Sequence, residues 1–412
     1  MAEGPDGKRL LIVEEALKDF VGHWYEYVKA VAELARADRG TVTIVGHTRT
    51  SESLQRELGV RPLIEKSPWD GDYRESFGPW RKLGILRHTW LTFRRLRPLL
   101  AVDGPFDCTF VPTVFAFQIW AWRLLYGLYP KRIGRLVLLV RNNAATYRPD
   151  SDRPVFGLAG RLLGWGIRSF GADVAAGRVV FATDSARLAE EYRQLTGIAF
   201  SVFPSPRVAM PPPAQAKRRA SDPVLFACLG PARFEKGIDV LQGAITQYLA
   251  DRANPPGRFA IQWPLPIRDA AGNAYHPDAA LAASGRVDFL TEPLDSAAYD
   301  ALLASTGCMV LPYRRDSYYA RISGVAVEAV TGGIPVICTA DTWTSDLVQT
   351  SGAGIAVADG DPAALAAAMA AMARDHRSFL AEAASRSAGA AALHSSDAFM
   401  RKLWGLDPSP PG

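Results

Sequence analysis

The chain has 412 residues, of which 48% are hydrophobic, so it is long enough for two domains that each have their own core. Its formal net charge of +5 is modest and does not indicate a nucleic-acid-binding protein. No run of 18 or more residues is continuously apolar, and the N-terminal residues MAEGPDGKRL lack the apolar segment of a signal peptide. We therefore expect a cytoplasmic protein that has no membrane-spanning helix.

Cysteine usage predicts neither a disulfide framework nor a metal site. Each of the four cysteines stands in an apolar, strand-like run, and none has the spacing of metal ligands. They are Cys108, Cys228, Cys308 and Cys338. We expect reduced thiols that lie in the core.

The first elements along the chain form a strand–helix–strand unit. Apolar spacing predicts strands at 8–14 and 41–45 and a helix at 25–35, an arrangement that produces a parallel sheet. Ligands bind such sheets beyond the carboxyl ends of the strands. The residues predicted at this edge are Glu14, Glu15, Gly22 and His23. His23 can contact a ligand at this edge, or it can simply be a solvent-exposed loop histidine. Since the loop lacks G-x-G-x-x-G, it gives no support to a dinucleotide cofactor.

Residues 76–102 are rich in basic and apolar residues and contain no acidic one. On a helix their alternation gives an amphipathic surface that suits anionic lipid headgroups. The residues are Trp80, Arg81, Lys82, Leu83, Leu86, Arg87, Trp90, Phe93, Arg94, Arg95, Leu96 and Arg97. A second aromatic cluster follows at 115–129. The pattern predicts peripheral membrane contact through 76–102; the alternative is a core-facing helix with an ordinary basic outer face.

Alternating strands and helices continue to residue 203 and complete one doubly wound domain, predicted at 1–205. The strands are predicted at 106–111, 136–140, 179–182 and 200–203, and the helices at 156–170 and 185–195. Asn142 follows the second of these strands and can reach the ligand edge, although turn formation explains an asparagine there equally well.

A proline-rich and basic segment, 206–222, has no apolar period and predicts a linker. A second domain, 223–380, follows it, and then a C-terminal helix and tail at 381–412. The strands of this domain are predicted at 224–229, 259–263, 287–290, 308–311 and 335–338, and helices at 300–306, 362–373 and 378–403.

The stretch Leu311–Thr339 carries the strongest functional signal. Its sequence reads as the end of a strand, a polar loop, a helix capped by Ser323 and beginning at Gly324, and the next strand. The start of a helix offers free N–H groups and a positive dipole end, which favour a phosphate. The polar side chains around this start are Tyr313, Arg314, Arg315, Tyr318, Tyr319 and Arg321. Glu328 stands inside the otherwise apolar helix, where a carboxylate can bind ribose hydroxyls or can simply face solvent.

Two motifs of this half resemble the donor-binding half of GT-B glycosyltransferases of the retaining family 4 type. The first is Glu328-Ala329 followed by Gly333 and Pro335-Val336-Ile337; the second is the turn from Gly230 to Lys236-Gly237. Glu328 matches the second glutamate of the Glu-x7-Glu motif of the family, whereas the first falls on Ala320. The resemblance covers residues 222–375 and implies two Rossmann-like domains that face a cleft, with the last helix crossing back to the first domain.

The resemblance also implies roles for individual residues. Lys236, Arg233, Ser323 and Gly324 would bind the donor diphosphate, and Glu328 the ribose. Tyr319 and Arg321 become candidates for the sugar, since Ala320 replaces the usual glutamate. The candidates for the base pocket are Pro264, Glu292 and Leu294, and those for the acceptor side are Gly22, His23 and Asn142, with His23 also the candidate catalytic residue. Read as structure only, Arg233 and Lys236 are exposed charges at the start of a helix.

The implied activity is transfer of a sugar from a nucleotide-diphosphate sugar to a glycan or lipid-linked acceptor with retention, in surface polysaccharide or glycolipid assembly at the inner face of the plasma membrane. No metal or cofactor is expected, since no Asp-x-Asp motif stands in a suitable loop. Two alternatives remain open. A catalytically silent binding subunit is consistent with Ala320, and a nucleotide-sugar epimerase would need acid–base carboxylates and a histidine near the sugar.

Overall fold

The computed structural model describes residues 7–20, 23–70, 83–148, 151–205, 223–230, 232–263, 267–269 and 271–406. The chain divides into two compact units. Unit 1 comprises residues 1–146, 153–208 and 395–412, and unit 2 comprises 147–152 and 209–394. Each unit contains one parallel sheet, as the sequence predicts.

Unit 1 is built on a seven-stranded parallel sheet of order β3-β2-β1-β4-β5-β8-β9. The strands along this part of the chain are β1 (Arg9–Val13), β2 (Thr41–His47), β3 (Val60–Ile64), β4 (Cys108–Val111), β5 (Arg135–Leu139), β6 (Ala145–Arg148), β7 (Ser151–Phe156), β8 (Val179–Thr183) and β9 (Ser201–Val202). Strands β6 and β7 form a separate two-stranded sheet that the sequence did not predict. Phe156, predicted to begin a helix, is instead the last residue of β7.

Eight helices of the described chain connect these strands. They are α1 (His23–Ala37), α2 (Glu52–Leu58), α3 (Gly84–Asp103), α4 (Ile119–Leu128), α5 (Pro130–Ile133), α6 (Leu158–Arg168), α7 (Gly171–Ala175) and α8 (Ala186–Thr196). Local chemistry fixes several of their ends. Ser185 caps α8 by accepting a hydrogen bond from the backbone N of Leu188, and Gly197 ends the helix in the left-handed conformation.

Unit 2 is built on a six-stranded parallel sheet of order β14-β11-β10-β15-β16-β17. The strands are β10 (Val224–Cys228), β11 (Gly257–Gln262), β12 (Ile267–Arg268), β13 (Ala274–Tyr275), β14 (Val287–Leu290), β15 (Cys308–Leu311), β16 (Val336–Thr339) and β17 (Gly354–Val357). The helices are α9 (Ile238–Ala250), α10 (Ala279–Ala283), α11 (Ser296–Ser305), α12 (Arg315–Tyr318), α13 (Gly324–Thr331), α14 (Trp343–Ser351), α15 (Pro362–Arg374) and α16 (His376–Leu393).

The last helix, α17 (Ser396–Trp404), returns to unit 1. Phe399 is fully buried there, with its ring edge-on to Tyr27 and Phe203. This return confirms the predicted crossing. The prediction of a single helix at 378–403 was wrong. The helix α16 ends at His394, and Ser395 caps a new helix by accepting a hydrogen bond from the backbone N of Ala398.

Two further sequence expectations concern the whole chain. All four cysteines are buried free thiols. Among the described residues, no helix combines the length and the apolar character that a membrane span requires.

Candidate functional site

A glycine turn and a buried lysine come together in unit 2 beside the start of α13. Gly230 follows β10 in the left-handed conformation (φ +80°), and its N–H donates to Gln262 Oε1 at 2.7 Å. A Cβ at Gly230 would lie 2.9 Å from Lys236 Nζ and 3.3 Å from Cγ2 of Val325, the second residue of α13. A residue without a side chain is therefore needed there for the close approach of the lysine ammonium and the first turn of α13.

Lys236 is positioned by a short 3₁₀ turn, Phe234–Lys236, that precedes α9. Gly237 ends this turn at φ +65°, where a Cβ would lie 1.9 Å from the carbonyl oxygen of Pro312, so only glycine permits the close approach. Lys236 is 7% exposed, which rules out the alternative that it is an exposed charge. Burial, reinforced by the charges of Arg233 and Arg321, lowers the pKa of Lys236 to about 8.

The ammonium of Lys236 has no ion-pair partner among the described residues, although the charge of Glu235 opposes the lowering of its pKa. Its Nζ lies 5.7 Å from the ring centre of Tyr313, and within the described ranges it makes no hydrogen bond or ion pair. Since a buried charge is costly unless it is paired, this position is suited to an anionic ligand.

The start of α13 combines a satisfied cap with an exposed first residue. Ser323 is buried, and its Oγ accepts from the backbone N of Ala326 at 3.2 Å and lies 3.5 Å from the hydroxyl of Tyr313. Ser323 therefore fixes the beginning of the helix. Gly324 is exposed and has no Cβ to shield the backbone, which is the feature that anion binding at a helix start requires.

The four nearby arginines differ in how far their charges are already neutralised. Arg314 pairs with Asp239 at 2.6 Å, and Arg315 pairs with Asp152, so both are committed to contacts within unit 2. Arg233 is half-exposed and lies 3.3 Å from Glu235. Arg321 lies over the ring of Tyr318 at 4.9 Å. Hence Arg321, and less directly Arg233, can add positive charge beside Lys236.

The ribose candidate and one of the sugar candidates already have contacts in unit 2. Glu328 is partly buried and accepts a hydrogen bond from the hydroxyl of Tyr299. The ring of Tyr319 lies 4.4 Å from that of Tyr147. Ala320 is completely buried, so the position that departs from the family motif has no solvent-facing side chain.

Polar residues also gather at the carboxyl edge of the unit 1 sheet, where the sequence predicted Glu14 and Arg141. Glu14, Thr113, Arg141 and Asp184 follow the adjacent strands β1, β4, β5 and β8 closely. Glu14 Oε1 accepts from the backbone N of Ala16 at 2.9 Å, and the Thr113 hydroxyl lies close enough to the same carboxyl to oppose the effect of burial on its pKa. Burial raises the pKa of Glu14 to about 7.

Two buried histidines near this edge were missed at the sequence level. His88 Nε2 lies 3.1 Å from Glu15 Oε2, although His88 belongs to a helix that looked like a basic surface element. His47 lies 3.4 Å from Asp70, which also pairs with Lys18. The sequence feature that could have identified His88 is its spacing. His88 follows Leu86 by two positions, which places the two side chains on opposite sides of the helix.

The acceptor-side candidates fall at this same edge or beyond the described residues. His23 is the first residue of α1. Gly22 lies outside the described residues. The carbonyl oxygen of Asn142 accepts a hydrogen bond of 2.8 Å from the hydroxyl of Tyr192, so the turn after β5 is held by its backbone.

Residues 224–375 match the family model described as Glycosyl transferases group 1. These residues all lie in unit 2, and we call them the group 1 domain after the model that they match. No curated protein sequence matches the chain significantly.

The group 1 domain and unit 1 together resemble solved structures along almost their whole length. HepE of Anabaena, solved with UDP and glucose, has 12% identity, covers 96% of this chain and 98% of its own, and gives a TM-score of 0.60. Sucrose-phosphate synthase from Thermosynechococcus elongatus has 14% identity, coverages of 97% and 98%, and a TM-score of 0.64. A putative UDP-N-acetylglucosamine 2-epimerase from Listeria monocytogenes has 14% identity, coverages of 96% and 95%, and a TM-score of 0.53. The likeness confirms the predicted GT-B fold.

Two of the three base-pocket candidates, Glu292 and Leu294, lie between β14 and α11. Glu292 is exposed and Leu294 is half-buried, whereas the third candidate, Pro264, lies outside the described residues. A cavity of about 830 Å³ lies elsewhere in this domain, at the amino ends of β10 and β11, and its lining includes Leu225, Arg258 and His376. The cavity is therefore at the opposite edge of the sheet from Gly230 and Lys236.

Among the described residues, no group of three or more His, Cys, Asp or Glu side chains has the arrangement of a metal site. The positive charge beside α13 comes from Lys236 and the neighbouring arginines.

Proposed function

We propose that the protein is a retaining hexosyltransferase that moves a sugar from a nucleotide-diphosphate sugar to a glycan or lipid-linked acceptor, in cytoplasmic assembly of a surface polysaccharide or glycolipid. The observation that supports it best is the buried ammonium of Lys236, which lies beside Gly230 and makes no ion pair among the described residues. A diphosphate leaving group gains negative charge as the glycosidic bond breaks. A cation already in position therefore stabilises the transition state more than the ground state.

The neighbouring residues have roles that follow from their chemistry. The exposed start of α13 at Gly324 would donate backbone hydrogen bonds to phosphate oxygens, and Arg321 would add charge. Glu328 would bind the ribose hydroxyls beside the hydroxyl of Tyr299. We propose metal-independent transfer, in which the departing phosphate assists as the base for the incoming hydroxyl on the same face of the sugar. HepE was solved with UDP, so a UDP-sugar is the first donor to test.

A thermal-shift screen tests this donor site. Wild type, Lys236→Ala and the control Arg258→Ala, an exposed residue of β11, are heated with UDP, GDP, ADP and TDP and with their sugars in the presence of EDTA. One nucleotide family should raise the Tm of wild type and control alone, because a ligand at a hundred times its Kd adds about 2.7 kcal/mol. If no nucleotide shifts the Tm of wild type, or if Lys236→Ala responds as wild type does, the donor site is wrong.

A second candidate is a nucleotide-sugar epimerase. It is favoured by the Glu15–His88 pair and by Glu14, whose pKa of about 7 suits proton transfer near neutrality. Chromatography of the sugar nucleotide distinguishes the two activities. An epimerase converts the donor without an acceptor, whereas a transferase releases the nucleoside diphosphate and gives an α- or β-linked product whose anomeric configuration matches the donor. A silent binding subunit would bind the nucleotide and do neither.

A further inference from the structure

Helix α3 places polar side chains against unit 1 and large apolar side chains in solvent. His88, Thr89 and Thr92 are buried, whereas Leu86 is 64% exposed and Trp90 is 53% exposed. Farther along the helix Leu96, Leu99 and Leu100 pack on the core, as in an ordinary surface helix. The first turns of α3 therefore depart from the pattern of a core-facing helix with a basic outer face, because they leave two large apolar side chains in solvent.

The next two helices extend the same surface. Thr89 Oγ1 donates to the carbonyl oxygen of Phe117, and Arg97 Nε donates to the hydroxyl of Tyr129, so α4 runs alongside α3 in the same direction. Helix α6 packs closely on α4, since a Cβ at Gly166 would lie 2.5 Å from Ile119 Cγ2. The outward side chains of these two helices include Leu124, Leu128, Leu158 and Trp165, all more than half exposed. We call the outward side of α3, α4 and α6 the α3–α4–α6 face.

Positive charge surrounds these apolar side chains. Helices α4 and α6 contain no acidic residue, and α3 contains only Asp103 at its end, which pairs with Arg61. Arg87, Arg94 and Arg97 lie on the same exposed stripe of α3 as Trp90, and the Arg94 guanidinium lies 5.1 Å from the Trp90 ring centre. On α6, Arg161 is exposed one turn from Trp165.

We propose that the α3–α4–α6 face binds the surface of a lipid bilayer that contains anionic phospholipids. Tryptophan and leucine side chains enter the boundary between headgroups and acyl chains, while the long arginine side chains reach the phosphates. Nucleic acid would match the arginines and tryptophans but offers no apolar volume to Leu86, Leu124 and Leu158. An acidic protein partner would leave the same leucines against polar surface. The inference rests on this face alone and does not depend on the proposed sugar transfer.

Co-sedimentation of the full-length protein with vesicles tests the proposal. Wild type should pellet with phosphatidylcholine vesicles that contain phosphatidylglycerol, bind far less to phosphatidylcholine alone, and be released as the salt concentration rises. The double variant Leu86→Ser/Trp90→Ser should lower the partition coefficient about tenfold or more, because both side chains lose their apolar contact with the bilayer. The double variant Arg94→Glu/Arg161→Glu should lose binding to the anionic vesicles selectively.

Matched controls lie on unit 2. Leu393 is 62% exposed at the end of α16, and Arg252 and Arg377 are exposed, so Leu393→Ser and Arg252→Glu/Arg377→Glu make the same chemical changes away from the face. Both should bind vesicles as wild type does, and so should Lys236→Ala, which separates membrane binding from the donor site. The Tm of each variant, compared with wild type, shows that it is folded.

Three results would overturn the proposal. The first is failure of wild type to pellet with anionic vesicles, and the second is equal binding by the folded Leu86→Ser/Trp90→Ser variant. The third is a wild-type dimer, seen by size-exclusion chromatography with light scattering, that becomes a monomer in this variant while vesicle binding is absent. In that case the face is a contact between two copies of the chain.

Discussion

The carboxyl edges of the two parallel sheets both carry polar residues, but they differ in whether the charges there are paired. At the carboxyl edge of unit 1, charged side chains compensate one another in the pairs Arg141–Asp184 and Lys18–Asp70, and Glu15 lies 3.1 Å from His88. At the corresponding edge of unit 2, a glycine replaces a side chain and the buried ammonium of Lys236 makes no ion pair within the described residues. The comparison shows that the parallel sheet only places polar residues at one edge. Whether that edge favours an external anion depends on which charges its own residues leave uncompensated.

The largest effect that would test this contrast is expected from Gly230→Ala. The new Cβ would lie 2.9 Å from Nζ and displace the Lys236 ammonium, so nucleotide affinity should fall at least about tenfold, since charged hydrogen bonds contribute roughly 1.5–3 kcal/mol. Isothermal titration calorimetry measures the change. Gly285→Ala is the matched control, because Gly285 has a similar φ of +66° and no atom within 4 Å of the Cβ position. Unchanged affinity in Gly230→Ala would show that unit 2 does not bind the anion there.

A smaller effect is expected from Glu14→Gln in unit 1. Because burial raises the pKa of Glu14 from 4.5 to about 7, the folded protein holds a proton that the unfolded chain releases between these two values. The contribution of Glu14 to the free energy of unfolding is therefore present below pH 4.5 and lost as the pH rises through 7. At pH 8 the Gln variant should be more stable by about 2 kcal/mol, with little gain at pH 5. Urea unfolding at both pH values measures it, and a pH-independent difference would contradict the buried-carboxyl account.

The pH dependence of nucleotide binding is a third test of the contrast. The anion binds the ammonium form of Lys236, whose pKa is lowered to about 8, so the measured Kd should rise about tenfold per pH unit above that value. Lys236→Arg should abolish this dependence, because a guanidinium stays charged. Fluorescence titration between pH 7 and 10 gives the two profiles. Parallel profiles would mean that Lys236 does not contact the ligand.

The sequence predicted the elements whose local signals agree with their tertiary surroundings. Ser185, Ser323 and the glycine at 237 mark helix and turn boundaries by their own chemistry, and the structure has them at those boundaries. The β6–β7 strands were missed because Pro154 and several polar residues interrupt any alternation there. The separate last helix was missed because no proline or glycine breaks the pattern at His394.

The candidate site was predictable where one motif determines one residue, and less so where contacts depend on distant parts of the chain. Lys236 stands in a recognisable turn, but its burial results from packing, which the spacing of residues in the sequence does not reveal. Arg314 and Arg315 looked equivalent to Arg321, and only their pairing with Asp239 and Asp152 distinguishes them. Likewise, Glu15 and His88 are 73 positions apart, so no local pattern links them.

The return of α17 to unit 1 determines when that unit can complete its core during protein synthesis. The ring of Phe399 fills a position between Tyr27 and Phe203 that is vacant until residues 396–404 have left the ribosome. The core of unit 2 uses residues of α15 and α16 as far as Ala390, all of which precede α17. We therefore expect unit 2 to finish folding first, while unit 1 stays incompletely packed until α17 has been translated.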